Sequence, residues 1–158
     1  MLEELKEQVY LANLELKRSG LVIFSWGNVS GIDESRTLVA IKPSGVPYET
    51  LRAEDIVITD LEGKVVEGRL RPSSDLATHL LLYRHFHTVK GVVHTHSRAA
   101  TAFAQAGRPI PCFGTTHADY FNGAVPVTKQ PARSLVEGDY ESNTGWEIIR
   151  AMTDQNVN

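Results

Sequence analysis

The feature that most constrains this chain is an alternating apolar stretch that runs into an alanine-rich one, KGVVHTHSRAATAFAQAG at residues 90–107. The alternation predicts a short strand, and a strand directs every second side chain to one face. His94 and His96 are therefore predicted to point the same way. The alanines that follow predict a helix that Ser97 can cap and that Gly107 ends. The fold must place two imidazoles where a strand meets a helix.

Two imidazoles on one rigid strand suit a divalent transition metal. The strand fixes their separation and leaves other coordination positions open for further ligands or for substrate. The alternative is that one histidine faces the core and the other is a surface hydrogen-bond donor. For an H-x-H pattern alone this alternative is the commoner outcome, so the rest of the sequence has to decide.

Composition narrows the classes of function. The chain has 158 residues, of which 42% are hydrophobic, which is enough for one domain with a single core. Its net charge of −3 comes from intermixed signs without a basic run, so we expect neither nucleic acid nor a membrane surface as a partner. Cys112 is the only cysteine, and the N-terminal segment is a charged amphipathic helix and not a signal peptide. Both features favour the cytoplasm.

Hydrophobic periodicity predicts the other elements of secondary structure. Helices are predicted from Leu2 to a stop at Ser19-Gly20, after Asp75, and over residues 140–152. Strands or extended segments are predicted over residues 21–26, 37–41, 56–59, 64–67, 108–113 and 124–128, with 129–138 as a loop or short helix.

Two predicted turns carry a glycine and small hydrogen-bonding residues directly after strands, at residues 27–30 and 42–45. Such turns present backbone N–H groups and hydroxyls to an anion, and Lys42 adds positive charge. Most turns of this composition are plain turns, so neither one alone indicates a site.

The helix after Asp75 begins with a group of polar residues. Ser73 or Ser74 at the N-cap and Asp75 in the first turn would be explained by capping alone. The same geometry also makes the helix start an anion site. His79 lies on the same helical face as Asp75. Residues 114–121, GTTHADYF, are polar without a regular period and form a further candidate site.

Five motifs occur in order along the chain: WGNVS at 26–30, IKPSGV at 41–46, PSSD at 72–75, HTHS at 94–97 and GTTHADYF at 114–121. Together they closely resemble the class II aldolase/adducin family, and within it the L-ribulose-5-phosphate 4-epimerases, from Met1 to about Arg150. The resemblance implies a three-layer α/β fold with a central, mostly antiparallel sheet flanked by helices. It also implies a single domain over residues 1–158 and a cyclic homotetramer with sites at subunit boundaries.

The resemblance implies a metal and substrate site. His94 and His96 match metal ligands, usually of zinc, and Asp75 stands at a metal-proximal acidic position. Asp119 matches the catalytic acid/base. The positions that match substrate-binding residues are Gly27, Asn28, Lys42, Ser44, Gly45, Ser73, Ser74, Thr115 and Glu141.

The implied reaction is epimerisation of L-ribulose 5-phosphate to D-xylulose 5-phosphate in the catabolism of pentoses such as arabinose. A Lewis-acid metal assists cleavage of the C3–C4 bond, and rotation of the phosphate-bearing fragment before readdition inverts C4. The alternatives are an aldolase that releases dihydroxyacetone phosphate and a non-catalytic, adducin-like oligomerising module. Aldolases of the family carry glutamate at the position of Asp75 and lack the HADY element, so both features favour the epimerase.

Members of the family continue for roughly another seventy residues beyond the matched region, as a larger single domain would. That part contains a further histidine ligand in an HSHGPF-like segment and a tyrosine that reaches a neighbouring subunit's site. Neither has a match in residues 1–158. We therefore expect a C-terminally shortened member that holds metal less firmly, unless His79 or His117 substitutes for the absent ligand.

Overall fold

The computed structural model describes residues 2–130, 137 and 139–153. The chain divides into two compact units, Met1–Ser97 and Arg98–Asn158. The single domain predicted over residues 1–158 stays a prediction.

The first unit is built on a five-stranded antiparallel sheet. Its strands are β1 (Asn28–Ile32), β2 (Leu38–Ile41), β3 (Val57–Asp60), β4 (Val65–Glu67) and β5 (Gly91–His94), in the order β4-β3-β2-β1-β5. A short 3₁₀ helix, Ala53–Asp55, precedes β3. Strand β5 pairs with β1 so that Asn28 lies opposite His94. The ladder therefore sets these two residues side by side.

Helices cover both faces of this sheet. Helix α1 (Leu2–Arg18) contributes Val9 to a buried cluster with Ala40 of β2. Helix α2 (Leu76–His85) contributes Leu80 to a cluster with Val39 of the same strand. Adjacent residues of a strand face opposite sides of the sheet, so the two helices lie on opposite faces. The predicted arrangement of helices flanking an antiparallel sheet is confirmed.

The second unit contains helices α3 (Arg98–Gln105), α4 (Thr115–Ala118) and α5 (Tyr140–Thr153). The predicted helix after the histidine pair is confirmed, and Gly107 follows it with a φ of +63°. The strand predicted over 108–113 is wrong, because that segment forms only one isolated bridge, from Ile110 to Val125. Part of the loop predicted over 129–138 lies outside the described residues. In the part of the chain that the structure describes, no helix is long and apolar enough to cross a membrane.

The strand predicted over residues 21–26 is also wrong. That segment is irregular, and β1 begins at Asn28, inside the segment predicted as a turn. Gly27 has a φ of +78°, and an added Cβ there would come within 2.8 Å of the carbonyl oxygen of His94. The backbone must turn at this position, so the apolar segment before it cannot continue into β1 as one strand.

Candidate functional site

A cavity of about 550 Å³ opens beside the start of β1 and the end of β5. Every predicted site residue of the first unit lines it: Gly27, Asn28, Lys42, Ser44, Gly45, Ser73, Ser74, Asp75, His94 and His96. Ser25, Trp26 and Pro43 complete the lining. Residues from four separate segments of the sequence are thus brought to one place.

The two histidines lie side by side on one wall of the cavity. Their ring centroids are 4.9 Å apart and their planes differ by 31°. His94 is the last residue of β5, and the backbone N–H of His96 donates to the carbonyl oxygen of Leu21 at 2.9 Å. The prediction that the two imidazoles point the same way is confirmed, but the strand predicted to carry both of them ends at His94.

Asp75 orients one of these rings. Its Oδ2 accepts hydrogen bonds from His94 Nδ1 at 2.9 Å and from Asn28 Nδ2 at 2.6 Å. Hydrogen bonding to His94 holds the pKa of Asp75 at about 2, although burial acts in the opposite direction. The carboxylate therefore stays charged, fixes the tautomer of His94 and leaves its Nε2 for another ligand.

Capping does not explain Asp75. It is the N-cap residue of α2, and its side chain makes no capping hydrogen bond to the helix. The N-cap predicted at Ser73 or Ser74 is therefore wrong by one or two positions. The first turn of α2 begins at the cavity, and the Asp75 carboxylate accepts a hydrogen bond from His94 instead of capping the helix.

Asn28 is buried in the cavity wall, with 3% of its surface exposed. Its Nδ2 donates to Asp75 and, at 3.0 Å, to Ser73 Oγ. Because an ionised carboxylate only accepts hydrogen bonds, the amide nitrogen must face Asp75 and the amide oxygen is left over. Oδ1 is buried and has no hydrogen-bond partner among the described residues. A buried acceptor without a donor is rare, and a ligand hydroxyl could satisfy it.

Lys42 lies behind a loop of the cavity and is 1% exposed. Its Nζ donates to the carbonyl oxygen of Val46 at 2.7 Å and lies 4.8 Å from the centre of the Tyr48 ring. Burial lowers the pKa of Lys42. The ammonium group braces the loop of residues 43–46 and adds positive charge behind it.

The two serine-bearing segments are held side by side by backbone contacts. The N–H of Ser44 donates to the carbonyl oxygen of Arg71 at 2.9 Å, and the N–H of Ser73 donates to that of Lys42 at 3.1 Å. Pro43 and Pro72 form an isolated bridge between these hydrogen bonds. Hydroxyl groups from both segments therefore line one part of the cavity.

A polar cluster lies buried behind the site. Ser30 Oγ hydrogen bonds with His79 Nδ1 at 2.7 Å and with the Tyr83 hydroxyl at 2.8 Å. Burial lowers the pKa of His79 to about 4 and raises that of Tyr83 to about 12. His79 is therefore held neutral in the core and does not line the cavity.

The remaining predicted site residues belong to the second unit. Thr115 begins α4, Asp119 follows that helix, and Glu141 lies in the first turn of α5. The backbone N–H of Asp119 donates to the carbonyl oxygen of Thr115 at 2.8 Å. His117 Nε2 donates to the carbonyl oxygen of Gly123 at 2.7 Å. The roles of Thr115, Asp119 and Glu141 stay predictions.

The cavity offers two ligands that suit a divalent transition metal, the imidazole rings of His94 and His96. Imidazole nitrogens are common zinc ligands, and a carboxylate behind the other ring nitrogen is their usual partner. Within residues 2–130, 137 and 139–153, no group of three or more His, Cys, Asp or Glu side chains is placed to hold an ion together. Asp75, His94 and His96 therefore do not form a three-ligand group here, and Asp75 serves as the partner of His94.

Sequence reasoning gave no role to Trp26. Its indole ring lies 5.5 Å from the His96 ring and 5.6 Å from the Phe24 ring, measured between centroids. Polar and titratable side chains indicate reactive sites in a sequence, whereas an aromatic side chain within the WGNVS motif gives no such signal.

Comparison with known proteins confirms the family predicted from the five motifs. Residues 7–156 match the Class II Aldolase and Adducin N-terminal domain family. Over 151 residues the chain is 58% identical to the L-ribulose-5-phosphate 4-epimerases UlaF of Salmonella typhi and of Salmonella paratyphi A (strain ATCC 9150 / SARB42). These alignments cover 96% of this chain and 66% of each relative, so the chain spans about two thirds of the relatives' length.

Solved structures show the same fold. An L-fuculose 1-phosphate aldolase is 27% identical with a TM-score of 0.77, covering 91% of this chain and 68% of that one. The L-fuculose-1-phosphate aldolase from Thermus Thermophilus is 22% identical with a TM-score of 0.75, covering 95% of this chain and 72% of that one. The predicted α/β fold is confirmed by both.

Proposed function

Because the chain belongs to the class II aldolase and adducin family, we propose that it is a metal-dependent epimerase that interconverts L-ribulose 5-phosphate and D-xylulose 5-phosphate. One observation carries the proposal. The cavity combines a pair of imidazoles, one of them oriented by a carboxylate, with hydroxyls and backbone suited to a phosphate. A metal-assisted reaction that breaks a carbon–carbon bond of a sugar phosphate would use both parts.

His94 and His96 would hold the metal, and Asp75 would fix the orientation of the His94 ring. When bound, a divalent ion such as Zn²⁺ supplies Lewis-acid stabilisation of the negative charge left on the ketose fragment. The hydrogen bond from His94 Nδ1 to Asp75 selects the tautomer in which Nε2 carries its lone pair into the cavity.

The phosphate of the substrate would bind between the segments that carry Ser44-Gly45 and Ser73-Ser74. An added Cβ at Gly45 would meet no heavy atom within 4 Å, so there is open space beside this turn. The positive end of α2 and the charge of Lys42 both favour an anion at this place. Anchoring the phosphate would keep the cleaved fragment bound while it rotates.

Two further residues would act on the substrate: Asn28 would bind a hydroxyl group, and Asp119 would transfer a proton. The unpaired Asn28 Oδ1 would accept a hydrogen bond from a substrate hydroxyl. Asp119 would act as an acid/base on the C4 hydroxyl, a role that rests on the match of its HADY segment to the family motif. Thr115 and Glu141 would add polar contacts on the same basis.

The wider setting rests on resemblance too. We propose that the protein acts in the cytoplasm in pentose catabolism and forms a homo-oligomer, a tetramer by analogy with the family.

The test is turnover of L-ribulose 5-phosphate by the chain supplied with Zn²⁺ or another divalent metal, followed by detection of D-xylulose 5-phosphate. His96→Ala should abolish turnover and lower the bound metal. The matched control is His87→Ala, which removes an exposed histidine outside the cavity and should change neither. Unchanged metal content in His96→Ala would contradict the site.

Analysis of the products separates the alternatives. The similarity to L-fuculose 1-phosphate aldolases makes an aldolase the second candidate. Release of free aldehyde and dihydroxyacetone phosphate from a ketose 1-phosphate would support it over the epimerase. A chain that self-associates but neither binds metal nor turns over any of these sugars would be an oligomerising module.

A further inference from the structure

The two histidine rings of the cavity are held in different ways. His94 donates to the carboxylate of Asp75, and that carboxylate is fixed in turn by Asn28. Among the described residues, the ring of His96 has no hydrogen-bond partner. It packs instead between the His94 ring, at a centroid distance of 4.9 Å, and the Trp26 ring, at 5.5 Å.

Trp26 belongs to a row of four rings that leads from the surface to the histidine pair. The row consists of Phe24, Trp26, His96 and His94, with successive centroid distances of 5.6, 5.5 and 4.9 Å. Phe24 packs edge-on against Trp26, with an interplanar angle of 73°. Trp26 thus contacts both the Phe24 ring and the His96 ring.

The backbone ties this row to the site at two points. His96 N–H donates to the carbonyl oxygen of Leu21 at 2.9 Å, just before the row begins. Gly27, just after it, packs against the carbonyl oxygen of His94 so closely that a Cβ has no room. The segment between these anchors includes Phe24, a bulky residue at a φ of +54°.

Phe24 has an unfavourable backbone conformation and an exposed side chain. A left-handed backbone is unfavourable at a residue with a Cβ, and such strain persists where the surrounding structure imposes it. Phe24 is 71% exposed, so burial of its own ring does not account for the strain. Phe24 lies in a turn closed by the N–H of Trp26, which donates to the carbonyl oxygen of Ile23 at 3.0 Å, and in this turn its ring lies 5.6 Å from the indole.

We propose that Trp26 is a positioning residue for His96 and restrains its ring by packing, as Asp75 restrains His94 by a hydrogen bond. The inference rests on the metal site of the proposed function. Ring packing limits rotation of the His96 side chain and keeps its nitrogen turned toward the metal position. Loss of a residue that orients a ligand commonly weakens metal affinity by about 10- to 100-fold.

The experiment measures the affinity of the chain for Co²⁺, by titration in its visible absorption bands, without substrate. We expect Trp26→Leu to weaken Co²⁺ binding about tenfold, while Trp26→Phe, which keeps a ring against His96, restores most of the affinity. The matched control is Trp146→Leu, the same change at the other tryptophan, which lies in α5. It should leave Co²⁺ affinity unchanged.

A double-mutant cycle tests whether Trp26 acts through His96. In the His96→Ala background, Trp26→Leu should weaken Co²⁺ binding no further. Fluorescence gives a second readout, because in Trp146→Phe the indole of Trp26 is the only tryptophan and Co²⁺ bound beside it should quench its emission.

Two results would overturn this inference but leave the proposed function standing. One is a Co²⁺ affinity of Trp26→Leu equal to that of the parent chain. The other is an equal loss of Co²⁺ affinity on Trp26→Leu in the parent chain and in the His96→Ala variant. A different result would overturn the proposed function as well. If the parent chain bound Co²⁺ no better than its His94→Ala and His96→Ala variants, there would be no metal site for Trp26 to serve.

Discussion

Asp75 Oδ2 lies 2.9 Å from His94 Nδ1, and this contact joins the N-cap residue of helix α2 to the last residue of strand β5. The two residues come from different layers of the first unit. The carboxylate can orient the ring only while the helix and the sheet keep their packing, so the proposed metal affinity depends on the fold behind it.

Asp75→Asn should weaken Zn²⁺ binding by about 10- to 100-fold, because the amide lacks the charge that fixes the His94 tautomer. Competition against a chromophoric chelator measures the change. The matched control is Asp60→Asn in the β3–β4 hairpin, where the amide oxygen can still accept the backbone hydrogen bonds of Glu62 and Lys64. Equal affinity in both variants would show that Asp75 does not orient a ligand.

Asn28→Ala should lower kcat/KM for L-ribulose 5-phosphate by about tenfold or more, since Asp75 loses one hydrogen bond and the substrate loses an acceptor. It should also lower the free energy of unfolding by about 1–3 kcal/mol. Asn13→Ala is the matched control, because Asn13 is equally buried but bonds only to the backbone of Val9 and Val29. That variant should lose stability while the folded fraction keeps its kcat/KM.

Two glycines of the cavity should differ in their tolerance of alanine. Gly27 and Gly45 both have positive φ angles, of +78° and +74°. An added Cβ at Gly27 would come within 2.7 Å of Val22 Cγ1, whereas at Gly45 it would meet nothing within 4 Å. We expect a loss of about 1 kcal/mol in Gly45→Ala and about 3 kcal/mol or more in Gly27→Ala, measured by urea unfolding. Similar losses would show that the cavity wall gives way at Gly27.

The stability of the fold should decline in mild acid because of His79. Burial lowers its pKa from 6.5 to about 4, so between these pH values the unfolded chain binds a proton that the folded chain does not. The contribution to stability is therefore complete above pH 6.5 and is lost as the pH falls to about 4, amounting to about 3 kcal/mol.

Urea unfolding of His79→Asn between pH 7 and about pH 4.5 tests this, since asparagine can keep a hydrogen bond to Ser30 but has no proton to gain. The variant should show a flatter dependence of stability on pH than the parent. His87→Asn, at an exposed position, should follow the parent. Parallel curves for the parent and His79→Asn would exclude His79 as the source.

Local pattern and family motifs together predicted which residues of the first unit line one cavity. The shared direction of His94 and His96 was predicted correctly, although the strand itself ends at His94. The resemblance to family motifs grouped residues 42–45 with residues 73–75, and both segments line this cavity. The β3–β4 hairpin was predicted within one residue at each strand end, because its turn residues and β-branched residues agree.

Contacts between distant segments were not predictable in the same way. Capping gave a sufficient local explanation of Asp75, and only the family resemblance placed it near His94, nineteen positions away, without indicating the hydrogen bond between them. The segment of residues 21–26 is as apolar as a buried strand, yet the packing of Gly27 against His94 turns the chain before β1 begins. The local sequence of a segment contains no information on a close contact with a strand that is distant in the chain.

The pairing of Asn28 with His94 across the β1–β5 ladder has a consequence for how such a chain can vary in length. A deletion of one residue inside β5 would turn His94 to the opposite face of the sheet, whereas an added residue in the exposed β3–β4 turn would leave the ladder intact. We therefore expect natural insertions and deletions to collect in the hairpin turns and to be purged from residues 91–94, even where substitutions are tolerated.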